Sequence, residues 1–252
     1  LKEKFMKKAI IEASFGTSHL DALENSVLAL KKTIEKSFHD YEVFVALTSK
    51  TVLSALKKQG VSFDTIDEML ERLKNDGFNE VIIQPTHMIS GIEYEMLLNA
   101  AERFKGDFEN IKVGAPLLES RADMEKVCRI IAEKFPDETV VLMGHGTEHS
   151  ANGAYTKFRR VCTELGFDNI YTATVEAEPT LDDVIGELKL CGKKKVTVMP
   201  LMLVAGDHAK NDMAGEWKEQ LEASGFEVNC VLKGLGEYPE IRKIYCEHIK
   251  SL

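Results

Sequence analysis

The chain has 252 residues, of which 44% are hydrophobic and 29% are charged, proportions that fit a globular protein and exclude a disordered or fibrous one. Its 41 acidic residues outnumber 32 basic ones and give a net charge of −9, so a surface that binds nucleic-acid phosphates is not expected. No apolar run reaches the roughly 18–20 residues needed to span a bilayer, and the first residues lack the apolar segment of a signal peptide.

Short apolar runs alternate with longer amphipathic stretches along the whole chain. Strands are predicted at residues 9–11, 43–47, 81–83, 111–113, 140–143, 170–175, 196–199 and 228–232. Helices are predicted at residues 20–36, 65–74, 94–104, 124–134, 155–165, 181–190 and 215–223, with an extra helix around residues 51–71. This alternation predicts an α/β fold in which helices cover both faces of parallel sheets.

The eight predicted strands fall into two sets of four that resemble each other. The first strand of each set leads into a similar motif, SFGTSH at residues 14–19 and GHGTEH at residues 144–149. The third strand of each set ends in a proline that is followed six residues later by a glycine: Pro85 and Gly91, then Pro200 and Gly206. We interpret this as an internal duplication that gives two similar domains, residues 1–136 and 137–252, each with a four-stranded parallel sheet flanked by helices.

Three side chains of the second half are predicted to meet at one edge of its sheet. His145, Glu176 and His208 lie at or just beyond the ends of three strands, and open parallel sheets bind ligands outside the carboxyl ends of their strands. Two imidazoles and a carboxylate form a suitable site for a divalent first-row metal and leave coordination positions open. Aligning the halves gives Phe15, Ser49 and Glu93 as their counterparts, so only the second half could bind the metal in this way.

Two further histidines and two glycines lie near these strand ends. His149, four residues after His145, is a weaker candidate ligand because it is predicted to lie in a loop. His87 follows the third strand and is predicted to face the cleft between the domains and contact the substrate. Gly144 and Gly146 are expected to permit a sharp turn and the close approach of a flat ligand.

The sequence lacks the signatures of nucleotide and thiolate sites. Neither G-x-x-x-x-G-K nor G-x-G-x-x-G occurs, so no nucleotide cofactor is expected. The five cysteines are widely spread and form no C-x-x-C pair, which predicts mostly buried, reduced thiols in a reducing cytoplasm.

Four motifs resemble those of the anaerobic sirohydrochlorin cobaltochelatases of the CbiK type, within the class II chelatase superfamily: SFGTS at residues 14–18, PTHM at 85–88, GHGT at 144–147 and TVE at 174–176. The resemblance covers nearly the whole chain and implies two domains around a cleft in which a divalent metal enters a tetrapyrrole without ATP. It implies that His145, Glu176 and His208 bind the metal, and that His145 accepts pyrrole protons with help from Glu176. The implied substrates are Co²⁺, with Fe²⁺, Ni²⁺ or Zn²⁺ as alternatives, and sirohydrochlorin or precorrin-2.

Contacts with the tetrapyrrole are predicted for Phe15, Thr17, Ser18, His87, Met88, Glu93 and Gly206. Because the chain is acidic and the implied substrate carries many carboxylates, Lys50 and Arg159 are predicted to supply local positive charge. The alternatives are a siroheme ferrochelatase, a carrier that binds the metal or tetrapyrrole without turnover, and a metal-dependent hydrolase. A cytoplasmic protein is expected, and self-association into a homo-oligomer is left open.

Overall fold

The computed structural model describes residues 6–252 as two four-stranded, all-parallel sheets with the same strand order. The strands are β1 (Lys8–Ser14), β2 (Glu42–Leu47), β3 (Glu80–Pro85), β4 (Asn110–Val113), β5 (Val140–Gly144), β6 (Ile170–Thr174), β7 (Lys195–Pro200) and β8 (Glu227–Cys230). They are ordered β2-β1-β3-β4 in the first sheet and β6-β5-β7-β8 in the second. All eight predicted strands are present, and the predicted α/β fold is confirmed.

The helices follow the predicted alternation, with one addition at the end of the chain. They are α1 (Leu20–Ala22), α2 (Leu28–Ser37), α3 (Lys50–Lys58), α4 (Ile66–Asn75), α5 (Ile92–Arg103), α6 (Arg121–Lys134), α7 (Gly153–Glu164), α8 (Leu181–Leu190), α9 (Lys218–Ala223) and α10 (Pro239–Lys250). π-Helical segments at Leu23–Val27 and His208–Trp217 lead into α2 and α9. Helix α10 was not predicted, although Pro239 in its first turn and the apolar spacing of Ile241, Tyr245 and Ile249 are typical of a helix.

The register of the sheets confirms the alignment of the two halves. Ala13 of β1 lies opposite Pro85 of β3, and Met143 of β5 lies opposite Pro200 of β7. Ala13 also pairs with Ala46 on its other side, as Met143 does with Ala173. The residue after each first strand therefore occupies the same place in both sheets, which makes Phe15 the counterpart of His145.

Alternate side chains of the central strands enter different hydrophobic cores. Ile11 belongs to an outer core beneath α4 and α5, and Val141 belongs to the corresponding core beneath α8 and α9. Ile10 and Val140 face the opposite way, into a shared core that contains residues of both halves. Helices α2, α6, α7 and α10 fill that shared core, so the two sheets are joined by one continuous apolar layer.

The closing helix of each half packs against a helix of the other half. Helix α6, which follows β4, contacts α7, and α10, which follows β8, contacts α2 and β3. The Tyr245 hydroxyl of α10 donates a hydrogen bond to the Thr86 carbonyl, with an O···O distance of 3.0 Å. A domain boundary at residues 136 and 137 stays a prediction, and it separates both of these helices from the helices they pack on.

The cysteines differ in part from the expectation of free thiols. Cys128 of α6 and Cys162 of α7 are buried in the shared core and joined by a disulfide across the two helices, with a Cα–Cα distance of 5.8 Å. This pair could not be predicted, because its members lie 34 residues apart and meet only through helix packing. Within residues 6–252, no helix combines the length and the apolar character needed to cross a membrane.

Candidate active site

The turn that follows the first strand is repeated in both halves. Gly16 and Gly146 adopt positive φ angles of 86° and 85°, a region that favours glycine because it has no Cβ. The backbone N–H of His19 donates to Thr17 Oγ1 over 3.2 Å, and that of His149 donates to Thr147 Oγ1 over the same distance. One local design therefore presents Phe15 in the first half and a histidine in the second.

The structure brings the three predicted metal-binding side chains together. The rings of His145 and His208 lie nearly perpendicular, with centroids 4.7 Å apart. Glu176 Oε2 lies 3.6 Å from His145 Nδ1. The three side chains are about half exposed, at 42% for His145, 57% for Glu176 and 39% for His208, so a solute can reach them.

Backbone pairing between β5 and β6 places Glu176 beside His145. The N–H groups of Val175 and Glu176 both donate to the His145 carbonyl, over 3.1 and 2.9 Å. In the first half, the Thr48 N–H donates to the Ser14 carbonyl at the same sheet edge. The carboxylate therefore reaches the histidine through the parallel register, which brings together residues distant in sequence.

Hydrogen bonds orient both imidazole rings through the same nitrogen. His145 Nδ1 lies 2.9 Å from the Gly146 carbonyl oxygen, and His208 Nδ1 contacts the Asp212 carboxylate. With Nδ1 occupied as a donor, Nε2 of each ring is the nitrogen that can bind a metal, and carboxylate partners of this kind commonly orient metal-binding histidines. Asp212 was not predicted as a partner of His208, although residues four apart are neighbours on a helix.

The three groups are neighbours rather than a preformed cage. In the part of the chain that the structure describes, no three or more His, Cys, Asp or Glu side chains are arranged to hold a metal ion. Metal binding by His145, Glu176 and His208 therefore stays a prediction.

The first-half residues predicted to contact the substrate lie in different environments. Phe15 is 47% exposed, at the place that His145 occupies in the other half. Thr17 is buried, and a Cβ on Gly206 would lie 3.3 Å from its Oγ1, so these two residues contact each other between the halves. Met88 is buried in the shared core. Ser18 is partly exposed, and its carbonyl accepts a hydrogen bond from the Gln59 side chain.

His87 and Glu93 carry buried polar atoms without partners. Neither ring nitrogen of His87 nor Oε2 of Glu93 has a hydrogen bond among the described residues. Burial lowers the pKa of His87 to about 4, because desolvation disfavours its charged form. His87 is therefore neutral at pH 7 and can either donate or accept a hydrogen bond.

A comparison with protein families decides the assignment of the chain. The family model described as cobalt chelatase (CbiK) matches residues 8–252. The chain belongs to the CbiK family. This confirms the resemblance inferred from the motifs.

Two relatives match this chain over nearly its whole length. The sirohydrochlorin cobaltochelatase of Salmonella typhimurium is 36% identical over 253 residues, which cover 97% of this chain and 96% of the relative. The sirohydrochlorin cobaltochelatase CbiKC of Nitratidesulfovibrio vulgaris is 33% identical over 256 residues, which cover 97% and 90%. SirB from Bacillus subtilis, solved with Fe³⁺, shares the fold with a TM-score of 0.68 at 16% identity, covering 98% of this chain and 95% of SirB.

Gly144 and Gly146, which flank His145, show only part of the role predicted for them. A Cβ on Gly144 would lie 2.4 Å from the Tyr155 ring, and one on Gly146 would lie 2.7 Å from Thr174 Oγ1. Gly146 does form the expected sharp turn. Protein atoms fill the space that a side chain at either position would need, and the close approach of a flat ligand stays a prediction.

The predicted role of Arg159 is wrong, and His149 is engaged elsewhere. Arg159 stacks on the Tyr171 ring at 4.1 Å and donates to the Ile170 carbonyl over 2.8 Å. Ile170 begins β6, so this guanidinium lies at the sheet edge opposite the candidate site, because α7 runs back along the sheet away from it.

Lys50, at the start of α3, is exposed at the carboxyl end of β2. His149 Nε2 lies 3.2 Å from Glu95 Oε1.

Proposed function

We propose that this chain inserts a divalent metal, Co²⁺ foremost, into sirohydrochlorin or its precursor precorrin-2, without ATP. The observation that carries the proposal is the pair of imidazole rings, 4.7 Å apart, with Glu176 beside one of them, at the strand ends of the second half. Membership of the CbiK family and two relatives named as sirohydrochlorin cobaltochelatases support it. The proposal includes a cytoplasmic location, where a reaction of anaerobic cobalamin synthesis would take place.

In this mechanism the metal ion is a substrate that is held only briefly. Nε2 of His145, Nε2 of His208 and a Glu176 oxygen would hold it. Neutral imidazole and carboxylate accept Co²⁺, Fe²⁺, Ni²⁺ and Zn²⁺ alike, so the donor atoms alone do not select cobalt. Asp212 keeps the His208 ring in the tautomer that binds metal.

Metal insertion releases two pyrrole N–H protons, so a base must lie beside the centre of the macrocycle. As the ion passes to the macrocycle, Nε2 of His145 would become free to accept one of these protons, and the Glu176 carboxylate beside the ring would accept the other. The half-exposed Phe15 ring offers an apolar surface to the macrocycle, and His87 and Glu93 offer polar atoms. Thr17, Ser18 and Gly206 shape the cleft, and Lys50 attracts the peripheral carboxylates; Met88, predicted to contact the substrate, lies in the shared core instead.

The deciding experiment follows the anaerobic absorbance spectrum of sirohydrochlorin with Co²⁺, using the wild type, His208→Ala and the control His39→Ala. His39 is exposed and far from the candidate site in sequence. We expect rapid conversion by the wild type and the control, and a rate close to the uncatalysed one for His208→Ala. Tetrapyrrole binding without acceleration would instead identify a carrier, and faster insertion of Fe²⁺ than of Co²⁺ would identify a siroheme ferrochelatase.

A further inference from the structure

Two histidines at equivalent positions of the repeated turn each reach the other half of the molecule. His19 Nε2 lies 2.8 Å from Asp207 Oδ1, and His149 Nε2 lies 3.2 Å from Glu95 Oε1. His19 and Glu95 belong to the first half, whereas Asp207 and His149 belong to the second. The two contacts therefore run between the halves in opposite directions.

The His19 contact acts on the segment that carries His208. Asp207 directly precedes that residue, and two more contacts support the same junction. Lys210 Nζ lies 3.8 Å from Asp21 Oδ1, and Gly206 lies against Thr17. Three pairs of residues thus link residues 206–210 of the second half to residues 17–21 of the first.

The second contact acts on the segment that carries His145. His149 Nδ1 accepts a hydrogen bond from the Ala151 N–H over 3.1 Å, so the neutral ring carries its proton on Nε2 and donates it to Glu95. Glu95 lies in the first turn of α5. Among the described residues, this junction has one ion pair between the halves, whereas the His19 junction has two.

We propose that His19 and Glu95 are positioning residues, and that each holds, from the first half, the second-half loop that carries one of the two metal-binding histidines. The inference rests on the proposed function for the roles of His145 and His208. Since the side chains of Asp207 and Glu95 are 69% and 57% exposed, these pairs add little to global stability. Their effect is to fix the positions of the two loops, because metal coordination requires its ligands to be placed to within a fraction of an ångström.

The test measures Co²⁺ binding by calorimetry on the metal-free protein, without tetrapyrrole, followed by insertion kinetics. We expect His19→Ala to weaken Co²⁺ binding about 10-fold, at the lower end of the effect of residues that orient metal ligands, and to lower kcat. His19→Gln places a side-chain N–H donor near the position of His19 Nε2 and should recover part of the loss. His39→Ala should bind as the wild type does, and Glu95→Ala should lose less than His19→Ala because its junction has fewer contacts.

A double-mutant cycle separates a positioning effect from a general disturbance. Asp207→Ala should weaken Co²⁺ binding about as much as His19→Ala does. The double variant should bind no more weakly than either single variant, because each of the three variants removes the same interaction. Unchanged Co²⁺ binding and kinetics in His19→Ala would overturn the proposal, as would fully additive losses. If the wild type binds Co²⁺ but inserts none, the proposed function fails, and the calorimetric comparison still decides the role of His19.

Discussion

The two halves of the molecule share a strand order, a register and a glycine turn, yet differ at the strand ends where chemistry is expected. Phe15, Ser49 and Glu93 occupy the positions that His145, Glu176 and His208 occupy in the second half. The duplicated scaffold supplies equivalent positions at the sheet edge, and three substitutions distinguish a candidate metal site from an apolar and acidic counterpart. The halves can therefore be compared by exchanging single residues between equivalent positions.

The halves also depend on each other physically. Helix α10 completes the shared core on the first sheet, α6 packs on α7, and the His19 and His149 contacts link the turns to the opposite half. A chain cut at residue 136 would separate α6 from α7 and expose the apolar surface that they bury together. The duplication has thus produced one interlocked unit, and exchanges of residues must be made within the full chain.

The largest effect is expected for His145→Phe, which places the first-half residue in the second half. The same turn already accommodates Phe15, so the fold should persist, but the variant loses both a metal ligand and the proposed base. We expect kcat for insertion to fall by about 10²-fold or more, the usual contribution of a general base, in the anaerobic absorbance assay. Phe15→Leu is the control and should mainly raise KM; more than half the wild-type rate in His145→Phe would contradict the assignment.

The next effect is expected for Gly144→Ser, which copies Ser14. The new Cβ would lie 2.4 Å from the Tyr155 ring, which is buried beneath the turn. We expect the free energy of unfolding, measured in urea, to fall by about 1–3 kcal/mol through overpacking. Combining it with Tyr155→Leu should relieve part of this loss, whereas an unchanged midpoint for Gly144→Ser would show that the turn adapts freely.

The smallest effect is a gain in stability, expected for Glu12→Leu, which copies Leu142. Glu12 is fully buried, neither of its oxygens has a hydrogen bond among the described residues, and burial raises its pKa well above the usual value despite the charge of Lys31. Between the unfolded and folded pKa values the folded chain retains a proton that the unfolded chain releases, so wild-type stability falls as pH rises through that interval.

Glu12→Leu should therefore gain little at pH 5 and about 1–2 kcal/mol at pH 8, measured by urea unfolding at both values. Glu12→Gln removes the titration but keeps a buried polar group, so its gain should be smaller. If the difference in the free energy of unfolding between the wild type and Glu12→Leu does not change with pH, this account is contradicted.

The sequence predicted the strands and their alignment well because buried parallel strands read as short apolar runs. Pro85 and Pro200 then fixed the register of the two halves, and the rule that ligands bind at the carboxyl ends of strands selected His145, Glu176 and His208. The same rule could not place Arg159, since a helix residue's distance from the site depends on how far the helix runs back along the sheet. The contact between Asp212 and His208 was also not predicted, although a separation of four residues is typical of neighbours on a helix.

The sequence by itself determined the α/β alternation, the duplication, the candidate metal-binding residues and the family, because these depend on local patterns of apolar, glycine and histidine residues. Only the tertiary structure decided which groups meet: Cys128 with Cys162, α10 with the first sheet, and His19 with Asp207. These contacts join residues 34 to 188 positions apart. Such pairs leave no periodic trace in the chain, because the packing of whole sheets and helices against each other is what brings them together.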